Sequence, residues 1–395
     1  MNREDFPILK NDLIYFDNGA TTLKPKCVVD KINDYYLNYS ANAHRGDYDI
    51  SLKVDNEYEK VRDKVKMLIN CDSSKEVIFT SGTTDSLNRV VEGFMKNHLS
   101  KDDEVLITKA EHASNILVWL RLSKEIGIKV KYIDLDNHRL TINKVKEAIT
   151  EKTKVISIAH ITNVLGDIRP IKEIGELCKK NNIYFVVDGA QSVPHIKVDV
   201  KEANIDFLAF SAHKMLGPTG VGVLYGKYNL LEEMEPTNLG GGMNATFDSE
   251  VYELKSIPTR FEAGTPNIAG VIGMGRAIDY LNEIGIDNIA KHEKELKEYF
   301  IEKAKEIENL IIYNEDYGTT VAFNLKDVFA QDTAVYLNNY HICVRAGNHC
   351  AKILKEDLDV KNTCRISFYL YNTKEEIDKV IEVLKNSKDI FKIIL

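Results

Sequence analysis

The chain has 395 residues, 44% of them hydrophobic and 28% charged, with a formal net charge of -8. That length exceeds what one hydrophobic core usually holds, so a large domain and a smaller one are expected. The acidic balance speaks against general affinity for nucleic acid or anionic membranes, and no apolar run approaches the ~20 residues of a spanning helix.

From Glu76 to Tyr225 short apolar runs alternate with longer amphipathic ones. Glu76–Phe79, Glu104–Thr108, Lys129–Ile133, Val155–Ala159, Tyr184–Val187, Phe207–Phe210 and Val221–Tyr225 are β-branched or aromatic-rich and bounded by turn residues, so they read as strands. Ser86–Asn97, Ile116–Ile126, Ile142–Ile149 and Ile171–Asn181 carry helical spacing. This alternation implies an α/β fold with a mainly parallel sheet and helices on both faces. A long helical stretch from Ile268 to Glu306 follows, with its break expected at Gly285. The tail adds strands at Thr319–Phe323, Ile342–Arg345 and Arg365–Tyr369, and helices at Gln331–Asn339 and Lys374–Asn386. The expected division is a large domain over 13–270 and a small α/β domain over 271–395, with segment 1–12 packed on the latter.

Met1–Pro7 has no signal-peptide character. The cysteines (Cys27, Cys71, Cys178, Cys343, Cys350 and Cys364) are scattered, which in so long a chain reads as reduced thiols in the cytoplasm. His341, Cys343, His349, Cys350 and Cys364 lie close in sequence but fit no paired metal-ligand spacing, so no metal is expected.

Ligands of parallel sheets sit at the carboxyl ends of the strands, which directs attention to the residues after each run. Lys214, in Ser211-Ala212-His213-Lys214, stands between a strand and a Gly/Pro loop, where an amine can condense with a carbonyl cofactor. Asp188, in Asp188-Gly189-Ala190-Gln191, ends a strand and can pair with a protonated ring nitrogen, with Gln191 beside it. Ser81-Gly82-Thr83-Thr84 joins a strand to a helix and offers amides and hydroxyls to a phosphate, or simply caps the helix. His112 and Asn163 close two further strands at the same edge. In the tail, Arg345-Ala346-Gly347-Asn348-His349-Cys350 sets a loop cysteine among polar and basic groups, the setting of a reactive thiol, and Arg365 offers a fork matched to a carboxylate.

With these residues in one chain, the sequence resembles the group II, SUF-type cysteine desulfurases, within the class V, fold-type I pyridoxal 5'-phosphate (PLP) enzymes. The resemblance runs from Tyr15-Phe16-Asp17-Asn18-Gly19-Ala20 through Asn42-Ala43-His44-Arg45-Gly46, Ser81-Gly82-Thr83-Thr84, Glu111-His112, Asn163-Val164-Leu165-Gly166, Asp188-Gly189-Ala190-Gln191 and Ser211-Ala212-His213-Lys214. It closes with Arg260-Phe261-Glu262-Ala263-Gly264-Thr265-Pro266-Asn267, the block at 345–350 and Arg365. It implies that Lys214 bonds the cofactor and later moves the Cα proton. Asp188 then faces the ring nitrogen, Gln191 the phenolic oxygen, and His112 stacks on the ring. Thr83, Ser211 and His213 take the phosphate, joined by Thr265 from the neighbouring subunit of a homodimer. Asn163 and Arg365 hold the carboxylate of L-cysteine, while His44, Arg45 and Arg345 line the substrate side. Cys350 accepts the sulfur as a persulfide, destined for iron–sulfur clusters or another sulfur cofactor through an acceptor or scaffold protein. His349 and Arg345 are expected to favour the Cys350 thiolate.

Three positions depart from the family pattern: Asn348 stands where His is usual, Ser81 where Arg is usual, and Met243-Asn244 replaces the usual Glu-Met. Two other readings compete. A selenocysteine lyase, or another class V lyase or aminotransferase, would not need Cys350. A sulfur-carrier scaffold without catalysis would have no use for Lys214.

Overall fold

The computed structural model describes residues 3–44, 46–387 and 390. Seven strands form the central sheet: β1 (Val77–Thr80), β2 (Glu104–Thr108), β3 (Lys129–Ile133), β4 (Thr153–Ala159), β5 (Tyr184–Asp188), β6 (Phe207–Ser211) and β7 (Gly222–Gly226). Their spatial order is β1-β7-β6-β5-β4-β2-β3, and only β7 runs against the rest. The mainly parallel sheet expected from the strand–helix alternation is present.

The sheet is covered on both faces, which is why its inner strands read as continuous apolar runs. Period-two alternation divides each strand between two cores. Leu106, Ile156, Val187 and Leu208 face the layer built by helices Lys26–Asn38, Asp49–Ile69, Ile171–Asn181 and Ile268–Ile284. Val105, Ile107, Val155, Val186 and Ala209 face Phe94, Trp119 and Leu122 on the other side. The edge strand β3 is the exception, exposing Lys129 and Lys131, and those charges discourage pairing with another chain.

The long helical stretch breaks where expected, into Ile268–Ile284 and Ile286–Ala304 around Gly285 at φ 88°. Residue 270 falls inside the first of these helices, whose apolar face belongs to the core of the large sheet. The tail forms a four-stranded antiparallel sheet in the order Leu310–Ile312, Thr320–Leu325, Thr363–Ser367, Arg345–Gly347, with its own core around Phe300, Phe323 and Ile366. Ile14–Tyr15 pairs with Ile342–Cys343, tying the start of the chain to this part. Phe6 packs on Tyr280 and Tyr371, and Arg3 reaches Glu376 at 2.6 Å. No helix among the described residues is long and apolar enough to cross a membrane.

Candidate active site

The carboxyl ends of β1, β2, β4, β5 and β6 open onto one cavity of about 230 Å³, closed from the other side by Arg345, His349 and Arg365 of the tail sheet and its loop. At the bottom, Asp188 ends β5 and is 4% exposed. The Ala190 amide donates to its Oδ1 at 2.9 Å. Burial pushes its carboxyl up to about 6. Lys214 lies in the single turn that follows β6. Burial pulls its amine down to about 8; Asp188 works the other way, favouring the charged form. A buried acid and a buried amine thus share the cavity floor, each displaced toward neutrality.

His112 stands at the rim after β2. Its Nδ1 accepts from the Ser114 amide at 3.2 Å, which leaves the ring proton on Nε2. Burial, then Lys214 and Arg345, pull the imidazole down to about 4, so at neutral pH it is an uncharged flat ring. At the opposite end, helix Thr83–Val90 starts immediately after Gly82. Ser211 Oγ accepts from the Thr83 amide at 2.8 Å and lies 2.7 Å from Thr83 Oγ1, while Thr84 Oγ1 lies 2.6 Å from Ser114 Oγ. Gly222 permits this closeness, since a Cβ there would meet Gly82 Cα at 2.5 Å. His213 also lines the cavity, its imidazole lowered to about 4 by burial and the nearby lysines. Hydroxyls and free amides at a helix start make an anion cradle.

Toward the tail sheet, Gln191 Nε2 donates to the Gly19 carbonyl at 2.7 Å. Arg365 is 1% exposed and gives Nη2 to Asp17 Oδ1 and Nη1 to the Asn163 carbonyl, each at 2.8 Å. Gly19 is required here, because a Cβ would meet the Arg365 guanidinium carbon at 2.8 Å. Arg365 Nε and Asn163 Oδ1 are buried with no partner among the described residues. Unpaired groups of this kind are costly unless a ligand supplies the partner.

Cys350 is exposed and is not among the lining residues; it follows the lining His349 in a loop where His349 and Cys350 both take left-handed φ of 50° and 56°. The loop is tied to the cavity wall at two points. The Ala113 amide donates to the Cys350 carbonyl at 2.7 Å, and Asn163 Nδ2 to the His349 carbonyl at 2.6 Å.

One expectation needs correction. His349 cannot supply positive charge to the thiol: its ring is buried, Nε2 meets the Thr363 carbonyl at 2.9 Å and hydroxyl at 3.0 Å, and burial followed by Arg365 lowers it to about 3. It anchors the loop instead, leaving Arg345 and Arg365 as the basic groups on this wall. His44 does not line this cavity; it lies against Glu59 at 3.4 Å and Asp55 at 3.7 Å. Thr265 is exposed, 3.4 Å from Asn42 Nδ2 and outside its own chain's cavity. Arg45 lies outside the described residues.

Thr84, Ser114, Gly19 and Ala20 line the cavity without having been singled out. Thr84, Gly19 and Ala20 belong to the motifs that carry the resemblance, and Ser114 follows His112 by two residues. Beneath the floor, the fully buried Arg169 pairs with Glu111 and gives Nη2 to Thr108 Oγ1 at 2.7 Å, while Glu111 Oε2 takes the Ala159 amide at 2.7 Å. Nothing local in the sequence marks Arg169 for this role.

The donor set fits PLP. Lys214 can bond its aldehyde carbon, Asp188 meet its ring nitrogen, His112 cover its face, and the hydroxyls of Thr83, Thr84 and Ser211 receive its phosphate. The profile of the aminotransferase class-V family matches residues 14–380. A probable cysteine desulfurase of Halalkalibacterium halodurans is 44% identical over 393 residues, covering 98% of this chain and 97% of that one. The apo structure of a cysteine desulfurase from Thermococcus onnurineus NA1 superposes with a TM-score of 0.94 at 37% identity, covering 97% and 96% of the two chains. The cysteine desulfurase CsdA from Escherichia coli gives 0.93 at 33% identity, covering 98% of each chain.

Proposed function

The chain belongs to the aminotransferase class-V family, and on that premise we propose that it is a cysteine desulfurase, converting L-cysteine to L-alanine and taking the sulfur on Cys350 as a persulfide. PLP bound in the cavity supplies an electron-withdrawing ring that labilises the Cα–H and Cβ–S bonds of an amino acid joined to it. The remaining work falls to side chains. Asp188, a carboxylate at neutral pH, would hold the ring nitrogen and keep a proton on it. Lys214 Nζ takes the Cα proton, a task suited to an amine lowered to about 8. Arg365 Nε and the second N–H of Asn163 Nδ2 orient the substrate carboxylate. His112 would cover the face of the ring without adding charge.

Cys350 then attacks as thiolate. The new S–S bond forms between its Sγ and the substrate sulfur while the Cβ–S bond breaks; the released electron pair at Cβ takes a proton to make the methyl group, and Lys214 returns to Cα the proton it took, completing alanine. The observation that carries this reading is the loop at 349–350, tied by hydrogen bonds to the wall of the cavity that holds Lys214 and Asp188. The exposed Thr265 suits a role in a neighbouring subunit's phosphate site, hence a homodimer. The group II, SUF type follows from the motif order, and an acceptor or scaffold protein would unload the sulfur. The free cysteines suit a reducing cytoplasm.

The test is alanine release from L-cysteine by the PLP-loaded enzyme and by Cys350→Ala. The variant is expected to retain the cofactor's visible absorption and lose turnover. Turnover that survives the substitution would contradict the persulfide step.

A further inference from the structure

We propose that Lys24 is a positioning residue for Lys214: with Thr21 and Thr22 it grips the His213 carbonyl and so fixes the peptide from which the Lys214 side chain springs. The proposal rests on the reading that Lys214 bonds PLP.

The segment Thr21–Lys24 runs alongside the turn Ala212–Lys214. Four donors converge on the one carbonyl oxygen of His213: the Thr22 amide at 3.0 Å, Thr21 Oγ1 at 3.0 Å, Thr22 Oγ1 at 3.2 Å and Lys24 Nζ at 2.8 Å. A carbonyl oxygen has two lone pairs, so this site is over-supplied. Thr22 Oγ1 also accepts from the Leu216 amide at 2.9 Å, at a residue held at φ 65°. Both ends of the turn that carries Lys214 are therefore laced to the same stretch of chain.

Lys24 needs an explanation of its own. Its ammonium meets the Thr22 and His213 carbonyls and Thr21 Oγ1, with no carboxylate partner among the described residues. Burial alone lowers it to about 7. A desolvated amine without a counter-ion is unfavourable, and an apolar side chain would fill the space more cheaply. Three acceptors match three ammonium protons. The titratable group beside it is His213, which Lys24 helps to keep neutral. A long, flexible lysine that must first bond a cofactor and then deliver a proton gains from a fixed root.

The experiment compares PLP-loaded wild type, Lys24→Met, Lys24→Arg and Thr21→Ala. The readouts are the pH midpoint at which the bound cofactor's visible band shifts, kcat and KM for L-cysteine, and the melting temperature. Lys24→Met is expected to move the midpoint by roughly half a pH unit and lower kcat about tenfold, the scale of one charge-assisted hydrogen bond, with KM within about twofold. Lys24→Arg, which keeps the charge and the donors, is expected to restore most of both. An unmoved midpoint with kcat preserved in Lys24→Met overturns the proposal, as does a loss that Arg cannot restore. Should Lys24→Met fail to fold, Thr21→Ala decides: a midpoint moved in folded protein supports the grip, and an unmoved one removes it. A wild type lacking the visible band defeats the PLP reading itself, and this proposal with it.

Discussion

Asp188→Asn tests the electrostatics of the cavity floor in protein without cofactor. The carboxyl is raised from 3.8 to about 6, chiefly by burial. A shift of that size corresponds to about 3 kcal/mol of strain in the ionised, cofactor-free state. A carboxyl whose pKa is higher folded than unfolded binds the proton better in the folded protein. Its contribution to stability is therefore complete below the unfolded pKa and is lost as pH rises through the folded value. Most of the loss falls between pH 4 and 7, and integrating the two titrations gives about 1.3 kcal/mol between pH 5 and 7. Asparagine keeps the shape and the bond from Ala190 but has no proton to lose. Urea unfolding of the cofactor-free pair at pH 5 and pH 7 is expected to show wild type losing about 1.3 kcal/mol relative to Asp188→Asn, since other titrations cancel in the comparison. Saturating PLP should abolish the difference, because a protonated ring nitrogen gives the carboxylate its partner. Parallel pH dependence in the two cofactor-free proteins would refute the reasoning.

Other outcomes follow from the same geometry. Arg365→Lys cannot keep both hydrogen bonds of the guanidinium, so KM for L-cysteine should rise about tenfold in steady-state kinetics. Asn163→Ala removes the tie to the His349 carbonyl; alkylation of Cys350 in resting enzyme should quicken about fivefold, the worth of one hydrogen bond, as read by mass spectrometry of quenched samples. Cys350→Ala should lose cysteine turnover while sparing release of selenide from L-selenocysteine, selenium being the better leaving atom, as a selenide assay would show.

Much of this architecture was legible because each central strand is buried on both faces and spells itself as an apolar run ending in a polar residue, as Val186-Val187-Asp188 does. The parallel-sheet rule then pointed to His112, Asn163, Asp188 and Lys214, which the fold brings to one cavity. Helices Lys26–Asn38 and Asp49–Ile69 escaped notice. Neither has a side-chain cap at its start, and the first carries Val28-Val29 and Tyr35-Tyr36, residues of modest helix propensity. His349 was misjudged because its neighbours in sequence suggested charge, whereas burial against Thr363 decides its state. Asp17, Arg169 and Lys24 act through partners more than 50 residues away, and no local pattern announces them.

The central claim is that sulfur from the substrate ends on one particular thiol. Brief incubation of the PLP-loaded enzyme with L-cysteine, followed by peptide mass spectrometry without reductant, tests it most directly. A single-sulfur adduct on the peptide containing Cys350, absent before substrate is added, is the predicted result. Alanine formed with that peptide unmodified at early turnover, or the adduct found on Cys343 or Cys364 instead, would contradict it.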